Sequence, residues 1–289
     1  MLPPFSQRSP PRGEPLAEGE EPLAVNRLTT TQPFRDFFPP HVVTFISDRS
    51  ADFKFSETPT PFTRSQSAFL AQQLGFRLPE VLTIRQVHGK RIVVATRNAA
   101  APQPEAPFPR GASGRGGGTF GRRSVALEDA DGILTDRRDL AIAVRTADCL
   151  SVFLYDLQHE VIGLVHAGWR GTQQQISAQA VALMRKQWDS SPKDLRVAFG
   201  PAIRSCCYRV GASFLEHFPK ETLKRKEGYF FDLPAANKNQ LVGAGVDAAN
   251  IADCSVCTCC DATCFSYRRQ RESAGRMISI MMLKKQEFS

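Results

Sequence analysis

An α+β fold, with a mixed β-sheet core containing hairpins and flanked by helices, is predicted by three features of this sequence. Apolar, β-branched runs of strand length recur between residues 42 and 283. Only a few segments carry a helical period, and some neighbouring runs are joined by links too short for a helical crossover.

Taken in order, Val42–Ile46 reads as the first strand, residues 65–74 as a helix and residues 82–84 as a second strand. Residues 140–144, 150–155 and 161–165 are three further strands, apolar and β-branched runs of strand length. A helix starts after Gly171 with Thr172 as its N-cap. Ile176, Ala180 and Met184 recur every four residues along one face of it, joined by Leu183 and Trp188. Leu195–Phe199 is a strand ended by Gly200-Pro201, residues 248–251 form a short helix end, and Met277–Leu283 is the final buried strand.

Two segments cannot build a core. Residues 1–40 hold nine of the twenty prolines and are expected to be a disordered tail. Residues 98–124 are Ala/Pro-rich and then Gly-rich, and read as a flexible insertion in one domain spanning 41–289. The chain has 289 residues, 42% hydrophobic and 23% charged, which fits a globular protein of ordinary composition. No run reaches the ~18 apolar residues of a membrane span. The start lacks a basic stretch followed by an apolar one, so no secretory signal is expected. A cytoplasmic, reducing location follows, with the eight cysteines as thiols or metal ligands rather than disulfides. The net charge of +8 is spread along the chain, which favours phosphate-bearing small substrates over nucleic acid.

Three turns each offer a soft ligand: Gln86-Val87-His88-Gly89, Thr146-Ala147-Asp148-Cys149 and His166-Ala167-Gly168-Trp169-Arg170-Gly171. Isolated His and Cys residues usually only pack. Here, however, Cys149 directly precedes one strand and His166 directly follows the next. A hairpin with the four-residue loop 156–159 would pair position 149 with 166, with Cβ atoms about 4.5–5.5 Å apart. Two imidazoles and a thiolate make a three-ligand zinc set that leaves a fourth position open. Copper is the second choice for such ligands.

These motifs resemble the laccase-domain family, together with Asp129-Ala130-Asp131-Gly132, Gly200-Pro201-Ala202-Ile203, Cys207-Tyr208, Asp232-Leu-Pro-Ala-Ala-Asn237 and Phe265-Ser-Tyr-Arg-Arg269. The likeness runs over residues 80–283. Members of that family have been labelled polyphenol oxidases and are described as purine nucleoside phosphorylases with adenosine deaminase activity. The resemblance implies that His88, Cys149 and His166 bind zinc. It also implies purine nucleosides (adenosine, inosine, methylthioadenosine) and inorganic phosphate as substrates. Arg170, Arg268 and Arg269 are candidate phosphate ligands, since a guanidinium matches phosphate oxygens in two-point contacts. Arg49 stands where the family carries an arginine before a glycine pair, and here the glycines are missing.

Rival readings remain open at this stage. Cys149 could be a thiolate nucleophile activated by His166, in a hydrolase of the peptidoglycan-precursor editing type. A multicopper polyphenol oxidase needs more imidazoles than the five histidines of this chain supply, although oxidation by a single copper does not. Cys254-x2-Cys257-x2-Cys260-x3-Cys264 has the spacing of a ferredoxin cysteine run. A structural zinc on Cys254, Cys257, Cys259 and Cys260 is the alternative there. A non-catalytic metal- or RNA-binding role would use this cluster and the Arg/Gly segment.

Overall fold

The computed structural model describes residues 34–54, 62–97 and 128–285. The expected tail up to residue 33 and the expected insertion 98–124 lie outside the described residues. The elements in chain order are β1 (Val42–Ile46), α1 (Arg64–Leu74), β2 (Glu80–Thr83), β3 (Ile92–Ala95), β4 (Gly132–Thr135), β5 (Leu140–Thr146), β6 (Leu150–Asp156), β7 (Val161–Ala167), α2 (Trp169–Gln173), α3 (Ile176–Trp188) and β8 (Leu195–Phe199). There follow β9 (Arg209–Val210), α4 (Phe214–His217), β10 (Thr222–Arg225), β11 (Gly228–Phe231), α5 (Leu233–Gly243), β12 (Ile251–Asp253), α6 (Tyr267–Gln270) and β13 (Met277–Leu283). The predicted α+β class holds.

Two mixed sheets stack face to face. One has the order β1-β13-β5-β2, the other β12-β8-β6-β7-β4-β3, and β10-β11-β9 forms a small third sheet. Along β6, Phe153 and Tyr155 point into the layer between the large sheets, where they meet Ile142, Val144 and Met281. Val152 and Leu154 point the other way, onto Ile176, Ala180 and Met184 of α3. The outer face of the four-stranded sheet, with Val43, Phe45 and Ile280, is covered by Leu70 of α1, Phe53 and Phe62. Strands buried on both faces lose the period-2 alternation, which is why β5, β6 and β7 read as continuous apolar runs.

Three expectations need correction. Phe34 and Phe38, placed in the tail by composition, are buried against Phe153 and Tyr155. Thr172 is not an N-cap: α2 begins at Trp169 with Gly168 as its cap, and α3 starts separately after Gln175. The Thr172 hydroxyl instead accepts a hydrogen bond from the Asn237 amide, which joins α2 to α5. Finally, Ala248–Asn250 is a 3-10 turn and Ile251 already opens β12, which pairs parallel to β8.

Candidate metal centre and cationic cavity

The β6–β7 hairpin closes through residues 157–160, with Asp156 opposite Val161 and Ser151 opposite His166. The loop has the expected four residues but sits one position later, so Cys149 lies one diagonal step from His166 rather than directly across. A shift of two in register keeps the side chain on the same face, whereas a shift of one would have reversed it. Cys149 and His166 therefore still meet.

His88 joins them from the turn after β2. Its backbone is in the left-handed region at φ 60°, uncommon for a residue with a Cβ. Two anchors hold it there. The Gln86 side-chain amide donates to the Arg145 carbonyl at 2.7 Å and accepts the Arg145 N–H at 2.7 Å, tying the turn to β5. The carboxylate of Asp131, buried just before β4, accepts the N–H groups of His88 (2.9 Å) and Gly89 (2.6 Å).

The same carboxylate lies 2.8 Å from His166 Nδ1. Accepting that N–H fixes the tautomer and turns Nε2 toward Cys149, the arrangement by which a carboxylate orients an imidazole ligand. The candidate ligand atoms of His88, Cys149 and His166 all lie within 4.8 Å of one another. Small rotamer changes would bring them to the 2.0–2.3 Å distances of a shared zinc ion. Gly168 leaves the room: a Cβ there would sit 3.0 Å from Cys149 Sγ and 3.2 Å from His88 Cδ2.

Electrostatics favour ligation. Burial alone would push the Cys149 thiol up, but the charge of His166 and hydrogen bonds from His166 and His88 bring it down to about 6. Burial would likewise lower His166, yet the Cys149 thiolate and the Asp131 carboxylate raise it to about 9. Burial also opposes ionisation of Asp131, and its hydrogen bonds from His166, Gly89 and His88 outweigh that and hold it below the usual carboxylate range. Without a metal, the pair is a thiolate beside an imidazolium. The ligand set fits zinc by donor type, by spacing and by its supporting carboxylate.

The three residues lie at the wall of a cavity of about 780 Å³. Its lining carries the cations Lys54, Arg85, Arg145, Arg170, Arg268, Arg271 and Arg276 against two carboxylates, Asp148 and Glu272. Asp148 is already engaged, accepting from Thr258 Oγ1 at 2.7 Å and from the Arg268 N–H at 2.6 Å. The lining therefore carries more cations than carboxylates.

The predicted arginines divide. Arg170 lines the cavity with its guanidinium 4.6 Å from the Trp169 ring, and no hydrogen bond or ion pair occupies it among the described residues. Arg268 also lines the cavity but donates through Nη1 to the carbonyls of Arg209 and Cys207. Arg269 is absent from the lining. Its guanidinium is spent on the carbonyls of Thr258, Cys259, Asp261 and Cys264. Arg49 is absent too: it donates to the Ala262 carbonyl and lies over Phe265. The Ser266–Arg269 segment opens helix α6, capped by Ser266 Oγ. Sequence reasoning missed Arg145 and Arg271. Arg145 is the next-to-last residue of β5, just past the run 140–144 that reads as a strand. Its Nε donates to the Phe53 carbonyl, and burial pushes it down only to about 10, so it stays charged at neutral pH. Arg271 lies in the turn after α6 with no sequence signal of its own.

Residues 61–284 match the family model described as multi-copper polyphenol oxidoreductase laccase, and the chain belongs to that family. It is 33% identical over 222 residues to "Purine nucleoside phosphorylase YlmD" of Geobacillus stearothermophilus, covering 73% of this chain and 75% of that protein. It is 32% identical over 217 residues to "Adenosine deaminase RL5" of an unknown prokaryotic organism, covering 72% and 76%. The crystal structure of YlmD from Geobacillus stearothermophilus superposes with a TM-score of 0.71 at 26% identity, covering 92% of this chain and all of that one. The relatives are named as enzymes acting on purine nucleosides. The family description's multicopper chemistry meets a shortage of ligands here, since two of the other three histidines, His41 and His159, bond Tyr155 and Asp156 at the far end of β6.

Proposed function

We propose that this protein is a zinc-dependent purine nucleoside phosphorylase that also deaminates adenosine, with His88, Cys149 and His166 as the metal ligands. The observation that carries the reading is the convergence of these three side chains on the wall of a cation-lined cavity. A bound zinc ion supplies Lewis acidity and a water made acidic near neutral pH. Asp131 holds the proton of His166 at Nδ1 and keeps Nε2 available. Arg170, with Arg268 and Arg271 beside it, would bind and orient the phosphate that phosphorolysis requires. The Trp169 and Tyr208 side chains line the same cavity, with the Arg170 and Arg268 guanidiniums over their rings.

The experiment is turnover of adenosine and inosine by the purified protein, with and without phosphate, with zinc counted on the same sample. Cys149→Ala should lose zinc at this site and both activities together while staying folded, because removing one of three ligands strips the ion. Survival of phosphorolysis in that variant would separate the two reactions and end the shared-site mechanism.

The thiolate–imidazolium pair supports a second reading, a cysteine hydrolase with Cys149 as nucleophile. The two differ in one measurement: a cysteine nucleophile keeps its activity after complete removal of metal.

A further inference from the structure

The ferredoxin-like spacing does not assemble a four-cysteine site. Cys254 is buried in the core between the sheets, and Cys264 packs with Phe265 and Met277. The two remaining cysteines of that run, Cys257 and Cys260, meet two others from a distant loop. Cys206 Sγ and Cys207 Sγ lie 3.5 and 3.3 Å from Cys260 Sγ, and all four sulfurs lie within 4.8 Å of one another. All eight cysteines are free thiols in this structure.

We propose that Cys206, Cys207, Cys257 and Cys260 form a second, structural metal site that holds one zinc ion through four thiolates. A tetrahedral ion about 2.3 Å from each sulfur separates the sulfurs by about 3.8 Å, close to the spacing here. Sulfurs drawn this near leave room for a single ion and not for a sulfide-bridged cluster. Four protein ligands close the coordination sphere, which marks a structural rather than a catalytic centre.

The local backbone fits this role. Cys257 is bridged to Ala202 in the loop after β8 and its carbonyl accepts the Asp261 N–H at 2.9 Å, so the Cys-x2-Cys turn is held against the loop that carries Cys206 and Cys207. Adjacent cysteines would diverge to opposite faces in a strand, but Cys206 and Cys207 lie in a turn. There the Cys207 and Tyr208 N–H groups both donate to the Arg204 carbonyl, at 2.9 and 2.8 Å. Successive side chains in such a turn are about 100° apart, and both can face one ion.

The ion would staple the loop after β8 to the loop after β12. These two loops build one wall of the cavity: the Cys207 carbonyl accepts from Arg268, and Thr258, next to Cys257, donates to Asp148, next to Cys149. The site thus fixes the wall without touching the reacting groups.

Zinc is counted in the full-length protein and in variants purified under reducing conditions. The wild type should hold two equivalents. Cys149→Ala should retain one, and X-ray absorption at the zinc edge of that variant should show four sulfur neighbours at about 2.3 Å. Cys260→Ser should lose one equivalent and melt at lower temperature, and the Cys149→Ala spectrum stands whether or not Cys260→Ser folds. A zinc-free Cys149→Ala protein overturns the proposal, as would residual zinc with nitrogen or oxygen neighbours. So would iron in place of zinc, or a disulfide among the four cysteines despite the reductant. If the wild type and Cys149→Ala both hold a single all-sulfur zinc, this site stands and the His88–Cys149–His166 assignment falls.

Discussion

Asp131 decides more of the candidate centre than any of the three ligand residues. One carboxylate holds the His88 turn through backbone N–H groups and the His166 ring through Nδ1. It was legible only as part of an Asp-Ala-Asp-Gly motif, because no local pattern says that a carboxylate before one strand will meet a histidine at the end of another. The three candidate ligands were legible as candidates, since each sits in a turn beside a strand end. The arginines were not. A guanidinium reads the same in sequence whether it lines a cavity or caps carbonyls, and here Arg170 does the first and Arg269 the second. Arg170→Met should raise the apparent phosphate KM roughly ten- to a hundredfold, the loss of a charge-assisted hydrogen bond worth about 1.5–3 kcal/mol, with little change in deamination. Arg269→Met should instead lower the melting temperature and reduce both activities in parallel. Steady-state kinetics at varied phosphate, read with a melting curve, tells the two apart. The ionisation of the pair sets a pH dependence of metal affinity. Ligation needs a thiolate and a neutral imidazole. Between about 6 and about 9, Cys149 has already lost its proton and His166 still carries one. One proton must therefore leave His166 per ion bound, and affinity should rise about tenfold per pH unit in this window and level off above it. Competition with a chelator at several pH values measures the slope. A flat profile from 6.5 to 8 would remove His166 from the ligand set.

At the scale of elements, the β6–β7 hairpin was placed correctly in the chain and two positions out in register. Its loop length was inferred from where the apolar run appeared to stop, and Asp156, the true last residue of β6, looked like a turn residue. Its carboxylate is buried and accepts the N–H groups of Gln158 and His159, so a polar residue closes the strand from inside. Burial would raise that carboxyl, but the Ser190 hydroxyl, the two N–H groups and the His159 ring hold it below the usual range. The shorter elements were missed altogether, among them β3, β4 and α6. They are four-residue pieces that depend on distant partners: β3 and β4 on their sheet neighbours, and α6 on the Ser266 cap and on Asp148, which accepts the Arg268 N–H. That dependence also protects the site. β6 is paired on its other side with β8, and β7 with β4, so the register rests on two further ladders and not on the loop alone. One glycine inserted between Gln158 and His159 should therefore bulge in the loop. It should cost about 1–2 kcal/mol through the lost turn hydrogen bonds, and leave the zinc stoichiometry unchanged. Loss of metal with the fold intact would mean that the strands had slipped by one residue and turned Cys149 away from His166.

Across the whole molecule, stability and chemistry occupy opposite ends of the same strands. Cys149 precedes β6 at the cavity end, while Tyr155, next to the last residue of β6, lies some six residues away, about 20 Å along an extended strand. Phe38 packs edge-on against the Tyr155 ring, and Phe34 against Phe153 in the middle of the strand. The first and last strands, β1 and β13, pair antiparallel, so the segment carrying these phenylalanines enters the sandwich directly beside the chain's final strand. Composition placed them in the tail because prolines dominate their surroundings, and two aromatic residues cannot offset that signal without knowledge of what they cover. Phe34 is 1% exposed and Phe38 3%. Truncating a buried phenylalanine typically costs about 3–5 kcal/mol, combining lost transfer energy with the cavity left behind. Phe34→Ala should therefore lower stability by about that amount. The Phe34→Ala/Phe38→Ala pair should cost less than the sum of the single changes, since the two rings touch each other. Both variants should keep two zinc equivalents and wild-type kcat/KM at 25 °C, because the ligand turns are anchored by Asp131 and β5 at the other end. Denaturant unfolding, with zinc content and nucleoside turnover measured on the same preparations, checks this. A fall in kcat/KM that tracks the loss of stability, in samples still fully folded, would show that the two ends of the sandwich are coupled.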